Sequence, residues 1–129
     1  MKVLQPPGWP RPKGYSNGIA ARGEMVFLAG IVGWDSAGRF PVGLVAQFRQ
    51  ALENILTILA EADARPEHIV RMTWFITSRD DYLANAREIG AAYREVIGRH
   101  FPVMAVVQVV ALMEAEAEVE IEVTAVLPA

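Results

Sequence analysis

Cysteine is absent from this chain of 129 residues. That removes disulfides, thiolate metal sites and a cysteine nucleophile together. Histidine is scarce. His68 and His100 are the only two, and both fall near expected element boundaries, so no multi-histidine metal site is expected. No apolar run reaches the roughly 18 residues a membrane helix needs. The opening segment, residues 1–15, is rich in proline where a secretory leader would carry an apolar core. A cytoplasmic protein is the expectation. Positive charge is short too: 12 Lys and Arg stand against 15 Asp and Glu, a net charge of -3. Phosphate backbones call for a basic stripe, and none is present, so neither nucleic acid nor membrane is an expected partner.

What the chain does have is apolar surface. Hydrophobic residues make up 53%, against a usual share of about 45–50%. A chain of this length fits one domain, and the excess is enough for a core and a subunit interface. Pro6, Pro7, Pro10 and Pro12 fix φ and remove donors, so residues 1–14 read as an extended arm. Residues 25–29, MVFLA, form an apolar run ending at Gly30, which suits a buried strand. Gly30 and Gly33 around Ile31 and Val32 suggest a break or bulge. Asp35 to Gly38 carries a turn signal.

Leu44, Phe48, Leu52, Ile55 and Leu59 recur at three- and four-residue spacing and predict a helix that ends by Asp63 to Pro66. From His68 to Thr77, Val70, Met72, Trp74 and Ile76 alternate with Arg71, Thr73, Phe75 and Thr77, a period of two that predicts a strand. Ser78 or Asp80 can cap a second helix, with Tyr82, Ile89, Tyr93, Val96 and Ile97 as its apolar stripe and Gly98 near its end. Residues 103–112 are apolar except Gln108, as expected of a strand buried on both faces. Residues 113–117 turn. Over residues 117–127 the parity is strict: Ala117, Val119, Ile121, Val123 and Ala125 against Glu118, Glu120, Glu122 and Thr124. The expectation is one α+β domain, a mixed sheet with two helices on one face. Its other face is not uniformly polar, which argues for covering by further copies.

The order of these elements and several local motifs resemble the RidA/YjgF family, the reactive-intermediate deaminases. Gly14-Tyr15-Ser16-Asn17, Leu28-Ala29-Gly30, Ala46-Gln47 with Ala51-Leu52-Glu53-Asn54-Ile55, Ile69-Val70-Arg71-Met72-Thr73, Phe101-Pro102 and Val119-Glu120-Ile121-Glu122 match family segments in order. The resemblance runs from about Gly14 to Leu127. It implies a chorismate-mutase-like fold and a barrel-like homotrimer with a small-molecule ligand in each intersubunit cleft. It also implies hydrolysis of enamines or imines to carbonyl products and ammonia, with no metal and no organic cofactor. Two positions depart from the family. Its carboxylate-binding arginine falls on Met104, and a frequent asparagine falls on Gly90.

By the same resemblance, Glu120 is the candidate catalytic carboxylate, able to orient a water for attack on an imine carbon. Glu118 and Glu122 share its parity, so a solvated strand face is the competing reading. Tyr15 would line the cleft or simply pin the arm. Gly30 and Ile31 would present backbone to ligand. Met104 and Ala105 stand where the clamp should be. Methionine cannot replace a bidentate guanidinium, so an apolar pocket wall for a larger ligand, or a core methionine, is expected. Arg87 and Arg71 are the candidate replacement charges. Trp34 and Trp74 read as anchors of core or interface. Two functions follow. One is a deaminase acting on a substrate larger than 2-aminoacrylate, such as an aminomuconate-type ring-cleavage product. The other is a non-catalytic small-molecule-binding or interaction trimer. RNA cleavage, found among older family names, is opposed by the acidic charge.

Overall fold

The strict parity of the last strand organises the molecule. The computed structural model describes residues 1–129. After a small ladder of β1 (Lys2–Leu4) with β2 (Gly18–Ala20), the main sheet is built from β3 (Gly23–Phe27), β4 (Ile31–Val32), β5 (Ile69–Ile76), β6 (Val103–Gln108) and β7 (Val119–Pro128). Its order is β3-β7-β5-β6, and β4 also pairs with β7. β7 is central and antiparallel to its neighbours, whereas β5 and β6 are parallel. A parallel pair needs a crossover. Here it is made by two helices, α2 (Arg79–Ala84) and α3 (Ala86–Val96), which follow α1 (Leu44–Ala60) in the chain.

Burial follows the alternation. Val119, Ile121, Val123 and Ala125 are buried in the core with Met72, Trp74 and Ile76 of β5. Against them pack Leu44, Phe48, Ala51, Leu52, Ile55 and Leu59 of α1 and Ile89, Ala92 and Tyr93 of α3. The expected α+β sheet with helices on one face is therefore what forms. The opposite face carries Glu120 and Phe75 as direct partners, then Glu122 beside Thr73.

Three expectations need correction. Residues 103–112 do not form a strand buried on both faces. β6 ends at Gln108, pairs only with β5 among the named strands, and leaves Val106 36% and Val107 41% exposed. It is an edge strand, so its apolar side chains have a sheet neighbour on one side alone. Residues 25–29 likewise do not form a buried strand. β3 is the other edge, and Met25 (56%) and Phe27 (70%) stand exposed on the open face. The single second helix is two helices broken at Asn85, whose φ of -112° and ψ of 17° leave the helical region. Its side-chain amide donates to the carbonyl oxygen and carboxylate of Asp81 at 2.8 and 2.9 Å. That is the local competition with helical geometry which asparagine is prone to. Ser78 does cap α2, its Oγ accepting from the Asp81 amide at 3.1 Å.

Two amides on α1 fix the surrounding loops. Gln47 is only 3% exposed. Its Nε2 donates to the Glu116 carbonyl at 3.0 Å, and its Oε1 accepts from the Glu118 amide at 2.8 Å. Asn54 donates to the carbonyls of Val32 and Trp34 at 3.1 and 2.8 Å. Glu118, held at the mouth of β7, has its carboxyl pushed up, first by desolvation and then by the charge of Asp81. A carboxyl raised above its unfolded value binds its proton more tightly in the folded state. It therefore opposes folding at neutral pH, and the penalty disappears as pH falls through the raised value toward the unfolded 4.5. Glu118→Gln should thus melt higher than the parent at pH 7. Glu118 is only half-buried, so screening limits the gain to at most about 1 kcal/mol, roughly 3 °C. The gap should close at and below pH 4.5. Melting curves across that range check it, and a variant no more stable at pH 7 would refute it.

Candidate functional site

The N-terminal arm is fastened beside the start of β6. The Ser16 amide donates to the Pro102 carbonyl at 3.0 Å, its Oγ to the Phe101 carbonyl at 2.5 Å, and Ser16 bridges to Val103. This sets Tyr15 against the face of β6 that carries Met104. Met104 lies level with Met72 of β5, on the helix side of the sheet. Between arm, sheet and the α2–α3 pair is a pocket of about 330 Å³, walled by Tyr15, Trp74, Tyr82, Tyr93 and Met104 with the exposed Arg94 at its edge.

The walls are tightly built on one side and chemically open on the other. Tyr93 donates to the His100 carbonyl at 2.5 Å and stacks on Phe101. His100 Nε2 lies 2.6 Å from the Ile69 carbonyl, which holds the chain leading into β6. Burial pushes the Tyr82 and Tyr93 hydroxyls up, Tyr93 far up, so both remain protonated donors at neutral pH. Tyr93 is satisfied, whereas Tyr82 donates to no group in the chain. Trp74 is 5% exposed, packs against Phe48, Tyr82 and Tyr93, and has no acceptor for its indole Nε1. A buried donor left unpaired costs about 1–3 kcal/mol, so this one is a feature to account for.

Arg94 lies one turn beyond Gly90 on α3. A Cβ at Gly90 would come within 3.3 Å of an Arg94 terminal nitrogen, so the guanidinium folds back over the glycine. The ion pairs of the chain join Arg39 to Asp35, Arg49 to Glu95 and Arg65 to Glu67, which leaves Arg94 without a carboxylate.

Glu120 is elsewhere. It lies on the open face of β7, across from Phe75 and level with Val32 of β4. Its carboxylate rests on Gly30. An added Cβ there would sit 2.4 Å from Oε2, a space only glycine leaves free. Ile31 follows, paired with Ile121. Gly30 and Ile31 also border a broad groove against α1, with Trp34, Asn54 and Thr57.

The sequence-level candidates therefore fall into two groups. Tyr15 and Met104 share the helix-side pocket, while Glu120 and Gly30 meet on the open face and Ile31, level with the buried Ile121, packs its side chain against the core. Ala105 and Arg71 point to that open face as well, by strand parity with Thr73 and Glu122. Within one chain the sheet separates the two groups. Neither Arg71 nor Arg87 borders the pocket beside Met104, and both are exposed. The cations that do so are Lys13 of the arm and, on α3, Arg94, which sequence reasoning passed over. Its four-residue spacing from Gly90 on a helix was the available signal. No three His, Asp or Glu side chains come together as a metal-ligand set. No helix is long and apolar enough to cross a membrane.

Comparison with known proteins agrees with this architecture. Residues 10–127 match the family model described as Endoribonuclease L-PSP. A RutC family protein of Pasteurella multocida is 31% identical over 105 residues, covering 81% of each chain. The Escherichia coli protein TdcF, named as a reactive intermediate deaminase, is 32% identical over 108 residues, covering 81% of this chain and 80% of TdcF. Among solved structures, the Rid family protein YyfB of Yersinia pestis superposes with a TM-score of 0.81 at 30% identity over 98% of both chains. Escherichia coli TdcF, crystallised with bound serine, superposes at 0.70 with 30% identity over 98% of this chain and 99% of TdcF. By the family model, the sequence relatives and the shared fold alike, this chain belongs to the RidA/YjgF family.

Proposed function

We propose that the protein is a cofactor-independent deaminase of enamines and imines. It works as a homotrimer whose clefts join the pocket of one copy to the Glu120 face of the next. The observation that carries the chemistry is the Glu120 carboxylate resting on Gly30. A water held there has a proton acceptor on one side and backbone on the other. Attack on the carbon of a protonated C=N passes one water proton to the carboxylate and gives a neutral carbinolamine. Return of that proton to nitrogen makes ammonia the leaving group, and as it departs the hydroxyl proton passes to the carboxylate and a C=O remains. An enamine enters the same path after protonation at carbon. Every step is proton transfer and water addition, so the reaction draws on no redox partner.

Assembly is supported by the open face. Met25, Phe27 and Val107 lie exposed on it beside Phe75, and apolar surface of this kind favours an interface. Separation of the two residue groups by the sheet makes a single copy an incomplete site, which is the stronger argument. TdcF carries a deaminase name and a structure with bound serine, which supports small amino-acid-like ligands for the family. Met104 narrows this for the present chain, because a thioether beside apolar walls suits a bulkier substrate, such as an aminomuconate-type ring-cleavage product.

The same methionine favours a second reading, a trimer that binds small molecules without turning them over. Imines generated in solution by an amino-acid oxidase, together with 2-aminoacrylate and 2-aminomuconate, separate the two. The deaminase reading expects release of ammonia above the uncatalysed rate from at least one of them. Binding without any acceleration would leave the second reading standing. A purified protein that is monomeric by light scattering would remove the composite cleft and both readings with it.

A further inference from the structure

The pocket beside Met104 has a polarity that the apolar wall alone does not explain. We propose that it binds the anion of a flat, unsaturated acid, with Arg94 of α3 holding the carboxylate. The hydroxyl of Tyr82 holds a second acceptor, and the hydrocarbon body lies along the Trp74 ring, Met104, Val106 and Ile89. This names the substrate class of the site described above. It rests on that reading for turnover, but not for binding.

Three observations converge. First, Arg94 borders the pocket, has no carboxylate partner, and lies over Gly90, where any side chain would crowd it. An arginine free of internal ion pairs at the edge of an apolar pocket is a ready partner for a carboxylate, which guanidinium matches in planar, two-point fashion. Second, Trp74 walls the same pocket with its ring, while its unpaired Nε1 is shut off from solvent and so from a ligand in the pocket. Tyr82, kept protonated by burial, lines it too and has its hydroxyl unengaged. A pocket-lining hydroxyl without a protein acceptor suits a ligand that brings one, a carbonyl or imine. Third, about 330 Å³ exceeds what a three-carbon acid fills and falls at the lower end of pockets that take larger organic ligands. Aromatic walls from Trp74, Tyr82 and Tyr93 favour a planar body.

Calorimetric titration of the intact protein with phenylpyruvate, its methyl ester and pyruvate tests each element. Phenylpyruvate has the carboxylate, the second acceptor and the flat body. The ester lacks the charge, and pyruvate lacks the body. Phenylpyruvate should bind about 10-fold or more tightly than either. Arg94→Gln should bring its affinity down to that of the ester and leave the ester unchanged, while Arg94→Lys should restore part of the loss. Arg94 is exposed, so these variants are expected to fold. Glu120→Gln should still bind phenylpyruvate even where turnover is lost, so failure of the catalytic reading leaves this one intact. Conversely, an active deaminase whose acid affinity ignores Arg94→Gln would overturn this inference alone. Equal affinity for acid and ester, or no binding of any of the three compounds at 10-millimolar order of concentration, would also overturn it.

Discussion

Gly33→Ala should lower the melting temperature by roughly 10 °C or more, the largest stability loss expected from so small a change. Gly33 is buried just after β4, where the chain passes over α1. A methyl group there would lie 2.1 Å from the Gln47 carbonyl oxygen and 2.7 Å from its Cα. Both are helix backbone in the middle of the core layer, so no side-chain rotation relieves the clash. The loop must lift off α1, and lifting it breaks the bonds from Asn54 to Val32 and Trp34. Overpacking of this kind costs about 3 kcal/mol, toward the upper end of its usual range. Gly98→Ala is the instructive comparison. Gly98 follows the end of α3 with a φ of 93° and nothing within 4 Å of a built Cβ, so alanine there meets strain but no obstacle. It should cost only about 1 kcal/mol. Urea unfolding of both variants gives the ordering directly. If Gly33→Ala unfolds within 1 kcal/mol of the parent, the close approach of the loop to α1 is not a tight constraint.

That close approach also explains which parts of the fold were legible. Period-two residues in β5 and β7 and the three- and four-residue spacing in α1 each report one face of one element, and these readings hold except at the start of β5, where a register shift buries Ile69 in place of the expected Val70. The reading failed at β6 and β3, where composition was mistaken for burial. Val106, Val107, Met25 and Phe27 are as apolar as the core, but they belong to edge strands or to the open face. A sequence shows that a residue avoids water. It does not show whether its own fold or another surface covers it. The break at Asn85 was missed for a different reason. The apolar stripe continues across it, and the bonds from Asn85 back to Asp81 are side-chain chemistry that periodicity does not register.

The candidate site was legible in parts. Gln47 and Asn54, quoted as letters of a motif, turn out to be the amides that anchor the strand turn and the loop carrying Gly30 and Ile31. Met104 and Tyr15 come together as a pair. Arg94 stayed hidden because its Cα is on the helix surface and only the reach of its side chain, over a glycine one turn back, brings it to the pocket. Trp74 was read as a core anchor, which it is. Its unpaired indole donor is visible only once the absence of a nearby acceptor can be checked in three dimensions.

Glu120→Gln should lower kcat/KM for imine hydrolysis by about 100- to 10,000-fold, the range for removing a general base, while leaving stability nearly unchanged. Glu120 takes part in no ion pair or side-chain hydrogen bond of the chain, and glutamine keeps its shape, so the loss would belong to chemistry. Gly30→Ala approaches the same group from the other side. Its methyl would lie 2.4 Å from Oε2 and 2.7 Å from the carboxyl carbon, both at the far end of a side chain that can swing away. The fold should therefore tolerate it while the carboxylate is displaced, and activity should fall by about the same order. The two changes then act on one element of the mechanism, so the double variant should be scarcely slower than either single one. Multiplicative losses would mean that Gly30 contributes separately, through its own backbone. Full activity in Glu120→Gln, measured as ammonia released from an imine the parent hydrolyses, would require a different proton acceptor and would return Glu120 to the solvated strand face it shares with Glu122.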